Sequence, residues 1–181
     1  MMTLAKQLLF MGGNIDYTNL FAQGDCEATT GWTPYHITLV TDADNKYEGT
    51  NCLKVTISAT YTNGIGFINV LPLLNTSKYY LISGYVKNND ATTGIKLRAS
   101  CTGDKGNVDS AYNATTSYVR IGVILQPSDF DGATDMKLTL YVDGVAGQSA
   151  YFDAVMLNEI SAADYAAGVD ACLAKYPYKA P

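Results

Sequence analysis

Apolar and polar residues alternate with a period of two through most of this chain, a pattern that commits it to half-buried strands. Leu53, Val55 and Ile57 alternate with Lys54, Thr56 and Ser58. The same alternation recurs in Tyr79–Lys87, Ile95–Cys101, Tyr118–Leu125 and Met136–Val142. In the last run Met136, Leu138, Leu140 and Val142 form one face, with Lys137, Thr139 and Tyr141 on the other. The fourteen tyrosines suit pleated surfaces better than helices. Turn signals separate the runs at Asn88-Asn89-Asp90, Thr102-Gly103-Asp104, Asp129-Phe130-Asp131-Gly132 and Val142-Asp143-Gly144. Many strands at short spacing predict an all-β sandwich or jelly roll.

Only the ends depart from this period. Ser161 can cap a helix, with Asp164 in capping-box position. Tyr165, Val169, Cys172, Leu173 and Tyr176 then recur at helical spacing until Pro177 stops the run. That amphipathic helix is expected to dock on its own domain or against a neighbouring subunit. At the other end, Leu4, Leu8 and Met11 form a helical stripe, or Gln7–Met11 adds an edge strand. The chain thus divides into an N-terminal arm (1–16), a sandwich domain (17–158) and a C-terminal helix and tail (159–181).

Bulk properties narrow the function classes. A chain of 181 residues with 48% hydrophobic and 16% charged residues forms a single globular domain with a substantial core. A net charge of −5 with scattered basic residues argues against a nucleic-acid partner. No run approaches the roughly 20 apolar residues of a membrane span. The opening MMTLAKQLLFMGG has too short an apolar stretch for a secretion signal and reads as mature protein. Cys26, Cys52, Cys101 and Cys172 share no CxxC spacing, which speaks against zinc and favours buried free thiols over a disulfide framework.

Four separated stretches carry the most specific signal: Asn19–Glu27 (NLFAQGDCE), Gly31-Trp32, Tyr47–Val55 (YEGTNCLKV) and Tyr151–Val155 (YFDAV). In this order they resemble the frame of the jelly-roll carbohydrate-binding modules appended to xylanases, over roughly residues 17 to 158. Gly24-Asp25-Cys26-Glu27 stands for the Gly-x-Phe-Glu-like motif, Glu48-Gly49 for the turn before an apolar strand, and Phe152-Asp153-Ala154-Val155 for the final strand. The resemblance implies a jelly-roll β-sandwich of two antiparallel sheets, with the short C-terminal α-helix and N-terminal arm outside it. It also implies a structural calcium, held by the carboxylates of Glu27, Glu48 and Asp153 and by main-chain oxygens at Asp25 and Asn51. Calcium takes about 6–8 oxygen ligands in irregular geometry, so this set suits it chemically. Three such carboxylates in one place would repel unless a cation lay between them. The acidic turn Asp42-Ala43-Asp44-Asn45 lacks the later Glu of an EF-hand loop and reads as solvated.

The same resemblance implies glycan binding on a concave sheet. Where xylan-binding relatives place a stacking Trp, this chain has Ser83, with Tyr85 two residues on. Trp32 falls in the frame position that packs into the sandwich. Arg98, Tyr118, Arg120 and Tyr141 are expected to share the open face with Tyr85, as a shallow sugar platform or as a protein-contact surface. Catalysis has no comparable signal. His36 is the sole histidine, no GxSxG or Cys-His signature is present, and Asp129 and Asp131 sit in one turn. Asn75-Thr76-Ser77 and Asn113-Ala114-Thr115 match the glycosylation pattern, which means little without secretion.

These readings favour a non-catalytic virion protein of a bacteriophage: a decoration of capsid, neck or tail. It would self-associate through the N-terminal arm and C-terminal helix, contact other virion proteins and possess affinity for cell-surface polysaccharide. The segment Asp153–Tyr178 resembles the tails of phage and prophage structural proteins carrying such modules. The alternatives are an extracellular glycan-binding module of a polysaccharide-degrading enzyme and, last, a small hydrolase.

Overall fold

The computed structural model describes residues 18–101 and 106–181. The expected N-terminal arm and the turn at Thr102-Gly103-Asp104 lie outside the described residues. Among the described residues ten strands form two antiparallel five-stranded sheets. They are β1 (Thr33–Tyr35), β2 (Ile37–Asp42), β3 (Cys52–Ile57), β4 (Asn63–Asn69), β5 (Tyr79–Asn88), β6 (Gly94–Cys101), β7 (Asn107–Asp109), β8 (Val119–Leu125), β9 (Met136–Asp143) and β10 (Ser149–Ile160). The first sheet has the order β1-β4-β9-β6-β7, the second β2-β3-β10-β5-β8. This is the all-β jelly-roll sandwich the alternation predicts.

The longer strands turn an apolar parity inward. Leu53, Val55 and Ile57 of β3, Ile95, Leu97 and Ala99 of β6, and Leu138, Leu140 and Val142 of β9 meet in one core between the sheets. Trp32 packs into this core edge-on against Phe21, with ring centroids 5.7 Å apart. Gly84 continues the inward parity of β5, and a Cβ there would stand 3.1 Å from Val155 Cγ2, so the glycine lets β10 cross closely.

Strand β10 changes parity partway along. Ala154 takes a left-handed φ of 48°, and the register against β5 slips between Asp153 and Met156. This bulge sends Phe152, Val155 and Leu157 into the core, while Met156 joins a second cluster on the other side of the sheet. Strand β3 leaves β10 at Phe152, and beyond that point an N-terminal strap takes its place. Asn19 donates from Nδ2 to the Val155 carbonyl (3.0 Å) and accepts at Oδ1 from the Leu157 amide (3.0 Å). Gly24 is required by the same approach, since a Cβ would fall 2.0 Å from the Val155 oxygen.

The expected single C-terminal helix is two short ones, α1 (Ala162–Ala167) and α2 (Val169–Lys175), divided at Gly168 with φ 91°. The Ser161–Asp164 capping box forms as predicted. Both helices lie on the outer side of the second sheet, where Cys172 and Tyr176 pack with Leu81, Met156 and Ile160. Docking on the own domain is therefore what the apolar side does. Cys26, Cys52, Cys101 and Cys172 are free thiols, and the Cys52 and Cys172 sulfurs donate to the carbonyls of Asp42 and Asp164. Asp129 belongs to a one-turn helix, Pro127–Phe130, and accepts from the Gln126 amide as its cap.

Candidate functional site

The four-part frame converges on one junction, built from the strap, the loop between β2 and β3, and the bulge of β10. Asp153 is buried there, 1% exposed. Its Oδ2 accepts from the amides of Tyr47 (2.7 Å) and Glu48 (3.1 Å), and its Oδ1 from the amide of Ala154 (2.7 Å). Glu27 receives the rest of the loop: Oε1 accepts from the Thr50 amide (2.6 Å), and Oε2 from the Asn51 amide (3.0 Å) and Nδ2 (3.2 Å). Gly49, with φ 67°, makes room, because a Cβ there would stand 1.9 Å from Glu27 Oε1. Burial raises the Asp153 pKa above the ordinary value, the three amides oppose this, and the Glu27 charge adds to the rise.

Of the three carboxylates expected around a calcium, this geometry brings Glu27 and Asp153 to the junction and surrounds both with donors. Glu48 is exposed and contributes its amide to Asp153. Asp25 is exposed and accepts from the Glu27 amide at its own side chain, 3.3 Å. Asn51 faces Glu27 with donors. Among the described residues no group of three or more His, Cys, Asp or Glu side chains is placed to hold a metal. What surrounds the two anions is a set of N–H donors, the reverse of the oxygen cage calcium takes. As placed, two carboxylates rather than three meet at the junction, and peptide dipoles offset their charge.

The five residues expected to form one platform divide between opposite faces of the sandwich. Tyr85, Tyr118 and Arg120 lie on the outer face of the second sheet, where β5 and β8 pair Tyr85 with Arg120. Arg98 and Tyr141 lie on β6 and β9 of the first sheet. Alternation tells which residues share one side of a strand, and the strand order sends these strands to different sheets.

The second face is covered by the chain itself. Tyr47, carried by the loop pinned at Asp153, stacks on Tyr85 with centroids 3.6 Å apart and planes 13° apart. The Tyr118 hydroxyl donates to the Asn45 carbonyl of the same loop, and burial pushes its pKa well up. From the other side come the helices. Arg120 donates to the Leu173 carbonyl of α2 (2.8 Å) and to Ser83 Oγ (2.7 Å). Ser83 is thereby fully buried beneath the helices.

The first face carries an aromatic and ion-paired surface. Arg98 grips Asp109 through Nε (2.6 Å) and Nη2 (3.0 Å), and Lys96 Nζ reaches the same carboxylate at 2.7 Å. Burial alone would raise Asp109, yet the Arg98 and Lys96 hydrogen bonds hold it below the ordinary value. Both cations lie over the Tyr141 ring, Arg98 at 4.6 Å and Lys96 at 4.7 Å from its centroid. Tyr112, 45% exposed, covers Lys96 from the other side and donates to Asp143 (2.8 Å). Cross-strand register sets Phe67, Thr139 and Arg98 in one row, and Tyr35, Ile65, Tyr141 and Lys96 in the next. Phe67, Lys96, Asp109 and Tyr112 went unmarked at the sequence level; the shared parity of Lys96 with Arg98 was the available signal for one of them.

Sole His36 sits at the corner between β1 and β2, its ring between those of Tyr35 and Tyr61. Among the described residues no helix is long and apolar enough to cross a membrane.

No protein-family profile and no curated protein matches the sequence. Solved structures do. The xylan-binding domain CBM22-1 of Paenibacillus barcinonensis Xyn10C superposes with a TM-score of 0.65 at 17% identity, over 80% of this chain and 96% of that one. The module TmCBM61, solved in complex with β-1,4-galactotriose, gives 0.56 at 15% identity over 79% of this chain and 99% of the other. A domain of bacteriophage CBA120 tailspike protein 4 gives 0.54 at 14% identity, over 78% of this chain and 21% of the tailspike fragment. At these identities the likeness is one of fold: this chain has the jelly-roll architecture of carbohydrate-binding modules.

Proposed function

We propose that this protein is a non-catalytic glycan-binding module whose site is the outer face of the first sheet. The carrying observation is the contrast between faces. One is partly covered by a loop and helices of the same chain, with Ser83 fully buried beneath them. The other, with no segment among the described residues laid over it, presents Tyr141, Phe67 and Tyr112 beside an Arg98–Asp109–Lys96 cluster. Flat rings with hydroxyl and charged groups at their edges suit a sugar, stacking on its apolar face and hydrogen-bonding its hydroxyls. The fold neighbours that bind xylan or galactotriose support this class of ligand. Wild type on a broad glycan array should give a structured response, and Tyr141→Ala should weaken it by about 2 kcal/mol, roughly thirtyfold. A flat response across chemically diverse glycans sinks the reading.

The place of action in this reading is a bacteriophage virion, where such a module would touch host or environmental polysaccharide alongside other virion proteins and copies of itself. The tailspike likeness favours a particle context. A module borne by a secreted polysaccharide-degrading enzyme is the competing placement. Neighbouring capsid and tail genes, and the protein in purified particles, would support the first; neighbouring glycanase genes would overturn it.

A further inference from the structure

We infer that the ring stack Tyr35–His36–Tyr61, at the β1 edge of the open face, is an end platform for one sugar residue of a longer glycan, an inference that rests on the glycan-binding reading of that face. The three rings are nearly parallel. Tyr35 and His36 have centroids 3.7 Å apart with planes at 28°, and His36 and Tyr61 have 3.6 Å and 11°. With the imidazole between them, the tyrosines remain 55% and 40% exposed. Tyr35 stands in register with Ile65, which faces Tyr141, so the stack continues a row of the platform described above.

The backbone beneath the stack is unusual. His36 has φ 61° where the chain leaves the first sheet for the second, and Thr60, beside Tyr61, has φ 79°. Glycine adopts such angles without steric cost, and the corner calls only for the angle. A histidine there adds the middle ring, which holds the two tyrosines apart and parallel. Strain retained at two turns that both lead into exposed rings points to presentation of a ligand surface. Gly64 shows how tightly the corner is set, since a Cβ on it would stand 2.8 Å from the His36 carbonyl oxygen.

The occupant follows from size and chemistry. Three rings cannot supply the roughly 800 Å² per partner of a stable protein interface. A single pyranose matches one tyrosine face, with the phenol hydroxyl at its rim.

Calorimetric titration with xylan and β-1,4-galactan oligosaccharides of graded length tests the inference. His36→Gly keeps the corner and removes the middle ring; Tyr61→Ala removes an exposed one. Each should lower affinity for the long oligosaccharides about tenfold and leave the shortest unaffected, with His36→Gly melting no lower than wild type. If Tyr141→Ala loses binding at every length while the two stack variants bind all lengths like wild type, the end platform is overturned alone. If wild type binds no length of either series, and the array is flat, both readings fall. Loss of self-association in Tyr61→Ala with sugar binding intact would assign the stack to a second copy and overturn the inference.

Discussion

The two outer faces of this sandwich are built from the same residue types and differ in whether another segment of the chain is laid on them. Each carries tyrosines beside an arginine. On the second sheet Tyr85 lies under Tyr47, Tyr118 donates to Asn45, and Arg120 is spent on Ser83 and Leu173. On the first sheet Arg98 is spent on Asp109, a residue of the neighbouring strand in the same sheet, so the pair rigidifies the surface without covering it. The lesson is that composition of a face does not decide whether it is a site. What decides is whether the chain has a segment long enough to fold back over it, here the β2–β3 loop and the C-terminal helices.

That cover is pinned at two points, and the deeper pin should give the larger effect. Asp153→Ala removes the acceptor of three amides, those of Tyr47, Glu48 and Ala154, at a site 1% exposed. Leaving such donors without partners should cost about 3–4 kcal/mol in chemical denaturation. Tyr85 should gain solvent exposure, while affinity measured on the first face stays as in wild type. A stability loss below about 1 kcal/mol would show that the loop is held elsewhere. The same geometry implies that chelator leaves the melting temperature unchanged, because the anions already face amide donors.

Arg120→Met tests the second pin. It keeps a long apolar stem on the sheet and deletes the bonds to the Leu173 carbonyl and Ser83. The expected loss is about 2 kcal/mol, read together with faster hydrogen exchange confined to α1 and α2. Equal acceleration in the strands of the first sheet would break the proposed independence of the faces.

Much of this was legible in the chain and some of it was not, for identifiable reasons. Leu53, Val55 and Ile57, or Leu138, Leu140 and Val142, announce their inward parity because burial on one side of a strand has a period of two. Gly24 and Gly49 stand in the quoted frame as motif positions, and the structure supplies their reason, close approaches to the Val155 oxygen and to Glu27 Oε1. Strand order is a different matter. It arises from long-range pairing, which sets β9 between β4 and β6 and β10 between β3 and β5. For that reason the sequence pattern alone sets Arg98 and Tyr141 on one face with Tyr85, while pairing places them on the other sheet. Strand β4 is hidden by Gly64 and Gly66, poor strand formers, of which Gly64 is required by the β1–β2 corner: a Cβ there would stand 2.2 Å from Ile37 Cγ2. The carboxylates of the frame were found, but the groups that offset their charge are main-chain N–H donors, invisible to residue identity.

Acid should separate the two halves of the cover with the smallest effect of the set. Asp164 ties α1 to α2, accepting from Ser161 Oγ (2.7 Å), Lys175 Nζ (2.6 Å) and the Tyr176 hydroxyl (2.8 Å). Burial would raise its pKa, but these hydrogen bonds outweigh it and hold the carboxyl well below the usual range. A depressed folded pKa contributes stability that is present above about pH 4 and is lost as pH falls through the folded value. Asp153 has the opposite sign. Its folded pKa is raised, so its burial opposes folding at neutral pH and that penalty is relieved as pH falls. Lowering the pH below about 4 should therefore fray the helices while the loop over Tyr85 stays in place. On the open face Asp109 shares the sign of Asp164, so glycan affinity should decline over the same range as Arg98 and Lys96 lose their partner. Hydrogen exchange across an acid series reads the first effect and titration the second. Helices that stay protected while the β2–β3 loop opens would reverse the signs assigned to Asp164 and Asp153.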